Sequence, residues 1–245
     1  MSDTYLGLGL LCVALAAAAN LVGGAVVTLR RWDDRVLRYA VALSAGFMLA
    51  AVLLKMLPES TRLTASAPVL VLAGYLLIHL FEHTVAPHFH FGEEIHPEQM
   101  SARAGASALL GLLVHSLFDG ISIGSGFMIS RALGLLLFAA IVLHKAPEGF
   151  AIATVVLATR GTRAQALLAS GAVGVATLIG GLSVFGIAAL VGPALALSAG
   201  VTLYVAASDL VPEVNKENDL AIALTVFGGV LLYWVTERVL QAAGI

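Results

Sequence analysis

His115 and Asp119 stand four residues apart, and His144 and Glu148 repeat that spacing. Residues four apart stack on one face of a helix, so each pair sets an imidazole over a carboxylate. The match runs further, with His115-x3-Asp119-Gly120-x2-Ile123 answering His144-x3-Glu148-Gly149-x2-Ile152. On facing helices, these groups bring two nitrogens and at least two oxygens to one point. That donor set suits Zn²⁺, and also Fe²⁺, Mn²⁺, Co²⁺ or Cd²⁺. No thiolate or thioether cluster points to Cu⁺, and no all-oxygen set points to Mg²⁺. A lone buried His–carboxylate pair is usually a structural hydrogen bond; two matched pairs favour a metal. Met48 in span two is a candidate soft ligand, although methionine in an apolar helix is more often packing. Pro147 removes a backbone donor and frees the Leu143 carbonyl beside the pair on its helix.

The elements that hold these residues are membrane spans. Of 245 residues, 60% are hydrophobic and 11% charged, where a soluble domain carries about 25% charged side chains. A span needs roughly 20 apolar residues. The expected fold is therefore an all-α polytopic membrane protein with eight spans, near 5–29, 36–57, 63–83, 104–130, 132–159, 164–190, 193–211 and 219–240. Gly192-Pro193 is the expected break in the 45-residue uncharged stretch from Ala164 to Ser208. Placing both termini outside puts Arg30, Arg31, Arg35, Arg38, Arg103, Arg160, Arg163 and Lys216 inside, against Arg62, Arg131 and Arg238 outside. That satisfies the positive-inside rule and makes the 84–103 loop cytoplasmic. A net charge of −2 without a basic cluster argues against nucleic-acid binding, and the single Cys12 excludes a disulfide framework.

An internal repeat orders the spans. Residues 42–59 and 196–213 share eight of 18 positions at an offset of 154, including Ala-Leu-Ser-Ala-Gly and a terminal Pro-Glu. Spans two and seven cross in opposite directions, so this is an inverted repeat, and spans four and five form a second inverted pair. The expected arrangement is three spans, a central pair, and three inverted spans, with the substrate site near the midplane. Asp119, Lys145 and Glu148 near mid-bilayer cost about 2.5–3.5 kcal/mol each, so they face the bundle interior and mark an ion path. Lys145 lies about 100° around the helix from His144 and borders the site without ligating. Glu59, Asp209 and Glu213, at the ends of spans two and seven, are expected to flank entry and release, or to be plain helix-end charges, as Lys55 is. His88, His90 and His96 in the long loop offer weak metal capture, or only a solvated connection.

These residues resemble the ZIP (Zrt/Irt-like protein) family of divalent-metal transporters. His115-Ser116-Leu117-Phe118-Asp119-Gly120 is similar to the family's H-N-x-x-[D/E]-G, and His144-Lys145-Ala146-Pro147-Glu148-Gly149 to its fifth-span motif. The resemblance covers the whole chain and implies import of Zn²⁺ or a similar ion toward the cytosol, through a site on spans four and five. Ser116 replaces the family's frequent asparagine and Lys145 a frequent carboxylate, positions that help build a second metal site in binuclear members. The expectation is one ion held by His115, Asp119, His144 and Glu148, with the Lys145 ammonium in place of a second cation and paired with Asp119 or Glu148. Competing readings are a cation diffusion facilitator-like exporter, whose usual six spans do not match, and an intramembrane zinc hydrolase, for which His-Glu-x-x-His is absent. No phosphate-binding loop indicates ATP, and no enzyme activity is expected. The partners expected are the divalent ion and the lipid bilayer, with a homodimer left open. Short loops suggest a bacterial inner membrane.

Overall fold

The structure, a computed structural model, describes residues 3–29, 34–84, 102–185, 187–215 and 219–244. Among them, eight helices are long and apolar enough to cross a membrane. Helix α1 is Asp3–Leu29 and α2 runs Asp34–Ala51, through a π-helical turn at Val52–Met56, into Leu57–Leu63. Helix α3 is Ala67–Thr84, α4 is Ala102–Ile129, α5 is Arg131–Ala158 and α6 is Arg163–Val184. Helix α7 runs Ala188–Tyr204, through a π-helical turn at Val205–Leu210, into Val211–Asn215, and α8 is Leu220–Ala242. The chain is a multi-pass membrane protein.

Local chemistry marks the helix ends. Ser130 caps α5 by accepting from the Leu133 amide at 3.1 Å, and Asp219 caps α8 through the Ala221 amide at 2.8 Å. Thr162 and Gln165 form a reciprocal capping box at the start of α6. Two ends differ from expectation. Helix α2 does not stop at Leu57, because the π-turn routes the Leu57 amide to the Val52 carbonyl just ahead of Pro58. The break between α6 and α7 falls before Ala188, not at Gly192-Pro193. Phe185 and Ile187 leave the helical backbone, and Phe185 lies over Gly9 of α1. Pro193 then sits early in α7, where few helical bonds are at stake.

The helices sort into two bundles. Helices α1, α4, α5 and α6 pack on one another, and so do α2, α3, α7 and α8. The bundles meet chiefly where α4 touches α7 and α2 touches α5. Glycines bring the backbones together at corresponding places. A Cβ on Gly46 would strike the Val226 carbonyl of α8, and one on Gly200 the Val71 carbonyl of α3. Likewise Gly229 abuts the Leu43 carbonyl, and Gly74 the Leu197 carbonyl. An offset of 154 maps α2 onto α7, and 155 maps α3 onto α8, in both contacts. The π-turns follow the same offset, since the Val211 amide bonds the Ala206 carbonyl. An inverted repeat would generate this set of contacts.

Candidate metal centre

Helices α4 and α5 pack side by side and present His115, Asp119, His144 and Glu148 to one point. One ligand atom from each lies within 4.8 Å of the others. The four are buried, with relative exposures of 4%, 0%, 2% and 0% in that order. Glycine after each carboxylate explains how the helices fit there. A Cβ on Gly120 would run into the Thr177 carbonyl of α6, and one on Gly149 into the Asn20 carbonyl of α1. The glycines of the two Asp/Glu-Gly motifs therefore serve close helix packing.

Asp119 is the hub. Its Oδ2 lies 3.2 Å from His115 Nε2, 3.1 Å from His144 Nε2 and 2.6 Å from Lys145 Nζ. Its Oδ1 has no hydrogen-bond partner among the described residues, so a buried acceptor is left with capacity for a cation or water. His144 Nδ1 faces the Ala140 carbonyl at 3.2 Å, which as a donor to that carbonyl turns the Nε2 lone pair toward the centre. The two imidazole rings lie 5.5 Å apart between centroids.

Lys145 and Ser116 close the arrangement. The Lys145 ammonium donates to Glu148 Oε2 at 2.5 Å and to Ser116 Oγ at 2.7 Å, besides Asp119. Ser116 donates in turn to Glu148 Oε1. All three ammonium hydrogens are thus engaged, and the fully buried charge is compensated by two carboxylates. The sequence placed Lys145 at the border of the site, paired with Asp119 or Glu148, and the structure pairs its ammonium with both.

The remaining candidates have neighbours of their own. Met48 packs in an apolar cluster with Leu112, Ile152 and Val205, on one side of the centre. A second cluster, with Val52, Leu133, Leu137 and Leu195, covers the other side. Both span the two bundles, so apolar side chains close the seam on either side of the buried donors. Glu59 pairs with Arg62 at 3.2 Å near the end of α2, and Lys55 pairs with Glu237 of α8 at 3.5 Å. Asp209 is buried in the π-turn of α7 and hydrogen-bonded to the Glu82 side chain of α3, which also accepts from Tyr204 at 2.9 Å. The Glu213 side chain and the loop residues His88, His90 and His96 lie outside the described residues.

Asn20 is the residue that sequence reasoning passed over. It is fully buried on α1 beside Glu148 and the Lys145 carbonyl. Its signal was an amide inside an otherwise apolar run, which a search for charges does not register.

Comparison with known proteins places the chain in a family. The family model described as ZIP Zinc transporter matches residues 90–237. "Zinc transporter ZIP9" of Xenopus tropicalis is 31% identical over 172 residues, covering 64% of this chain and 55% of that protein. "Zinc transporter ZIP9" of Micropogonias undulatus is 33% identical over 170 residues, covering 63% and 53%. "Zinc transporter ZupT" of Escherichia fergusonii is 29% identical over 255 residues, covering 96% and 98%. The matches thus span about half the length of the ZIP9 proteins and nearly all of ZupT.

Proposed function

The chain belongs to the ZIP zinc transporter family, and from that premise we propose that it carries Zn²⁺, or a divalent ion of similar ligand preference, across the membrane toward the cytosol. One observation carries the reading: four buried donors, two imidazoles and two carboxylates, converge near the middle of α4 and α5. Ligands about 2.0–2.1 Å from a tetrahedral Zn²⁺ lie roughly 3.3 Å from one another. The two imidazole–carboxylate separations at Asp119, 3.1 and 3.2 Å, are close to that value.

His115, Asp119, His144 and Glu148 hold one ion in this scheme, and Lys145 supplies the positive charge that a second ion would bring. Because the seam is apolar on both sides of the site, access requires one bundle to move against the other, exposing the donors to each side in turn. A divalent cation moving down 100 mV gains about 4.6 kcal/mol, so uptake needs no nucleotide. The arginine distribution supports termini outside the cytoplasm, and the full-length similarity to a bacterial protein supports a bacterial inner membrane.

The test is uptake of several divalent ions into liposomes with the inside pH recorded. Wild-type protein is expected to accumulate Zn²⁺, and His144→Ala or Glu148→Ala to abolish uptake while still inserting. Full transport by either variant would remove those side chains from the scheme. Two tight equivalents of metal bound to the purified wild type would refute the single-ion site.

A further inference from the structure

We infer that Asn20 of α1 is a positioning residue for Glu148, so that the metal centre is built by three helices. This rests on the reading of Glu148 as a ligand. Helix α1 carries no charge between Tyr5 and Leu29, and neither His–carboxylate motif calls for it. Even so, the Asn20 side chain is fully buried where α1 crosses α5. Two glycines force that crossing to be close. A Cβ on Gly149 would meet the Asn20 carbonyl, and one on Gly23 the Ala146 carbonyl.

The surroundings decide which way the amide points. With its oxygen toward the site, Asn20 would face only acceptors. With its nitrogen there, it donates to the Lys145 carbonyl at 2.7 Å and to Glu148 Oε2 at 3.3 Å. The first bond is short and anchors the amide on α5. The second is long for an N–H···O bond, because Lys145 already holds the same oxygen at 2.5 Å.

A cation that binds Glu148 repels the nearby ammonium and loosens its hold on Oε2. A neutral amide meets no such repulsion. It is anchored within reach and closes on Oε2 as the ammonium loosens, so its bond strengthens when the site fills. Asn20 also sits in the same bundle as all four donors, and so travels with them. Ser116 and Asn20 then hold the Glu148 carboxylate from opposite helices, α4 and α1.

The experiment is Zn²⁺ titration of the purified full chain. Asn20→Leu keeps the branched shape and the number of heavy atoms and removes the donor, and is expected to weaken Zn²⁺ binding about tenfold, the worth of one hydrogen bond to a charged group. In a Glu148→Gln background the same change is expected to have no further effect, which a general packing role would not produce. Asn20→Ser, smaller and too short to reach Glu148, gives the same reading should the leucine not fold. Unchanged affinity in the folded variant overturns the inference, as does a tenfold loss that persists with Glu148→Gln. His144→Ala in parallel separates the two claims. If it retains wild-type affinity, the metal-centre reading fails; if it alone loses affinity, only the role of Asn20 fails.

Discussion

Replacing Lys145 by methionine is the most direct probe of the charge balance in the proposed metal centre. The ammonium lies 2.6 Å from Asp119 and 2.5 Å from Glu148, with every atom of the three side chains' head groups away from water. Removing one partner from a buried ion pair costs about 3–5 kcal/mol, because the remaining charge stays buried without compensation. That cost falls on the metal-free protein. In the loaded protein the divalent ion already neutralises both carboxylates, so little is lost. The difference appears as affinity, and at 1.4 kcal/mol per decade it sets an upper bound of roughly two to three and a half orders of magnitude tighter binding. Metal titration and a thermal melt with and without Zn²⁺ measure it. The expected result is tighter Zn²⁺ binding, a less stable metal-free protein rescued by Zn²⁺, and slower turnover because release becomes harder. Unchanged or weaker affinity in a folded Lys145→Met protein would show that the ammonium does not compete with the ion.

Acid is expected to weaken binding, since both imidazoles must be neutral to ligate. Zn²⁺ affinity measured over a falling pH series at fixed ionic strength should decline, and an affinity that never falls while the protein stays folded would exclude histidine ligation. Gly149→Ala is expected to lose several kcal/mol of stability, because its methyl group would enter the Asn20 carbonyl of α1; normal yield and melting of that variant would contradict the packing argument. Glu237→Gln removes the 3.5 Å pair with Lys55, whose side chain is 31% exposed, and is expected to change stability by less than about 1 kcal/mol in a chemical or thermal melt.

The parts of the fold that were legible in the sequence are those that the bilayer dictates. Long uncharged runs have no other stable form in lipid, so eight spans followed from composition and length. The paired carboxylates were legible because charge at mid-membrane is costly without a use. Gly192-Pro193 misled because proline's effect depends on where in a helix it falls, and that depends on a tertiary contact. Phe185 turns the chain against Gly9 of α1, a residue 176 positions away. Asn20 was illegible for a related reason. Its amide is unremarkable until Gly23 and Gly149 bring α1 onto α5 and set it beside Glu148. The sorting of helices into two bundles was also hidden, since the repeat pairs α2 with α7 and α4 with α5 without saying which pairs share a bundle.

The matched contacts carry one asymmetry with chemical content. Lys55 and Asp209 occupy corresponding positions in the two π-turns, at the offset of 154 that also relates Gly46 to Gly200. Their partners correspond as well, since Glu237 and Glu82 differ by the 155 that relates Gly229 to Gly74. The skeleton therefore ties α2 to α8 in the same way that it ties α7 to α3. Consecutive spans alternate in direction, so the two ties lie toward opposite faces of the membrane. One is an ammonium–carboxylate pair, complete in itself. The other joins two carboxyl groups, and such a bond exists only while one of them holds a proton. Backbone packing can be duplicated end for end without loss, because a glycine against a carbonyl works equally in either direction. The side chains at the two ends have not been held to that symmetry, and a transporter that takes up an ion on one face and gives it up on the other has reason to differ there.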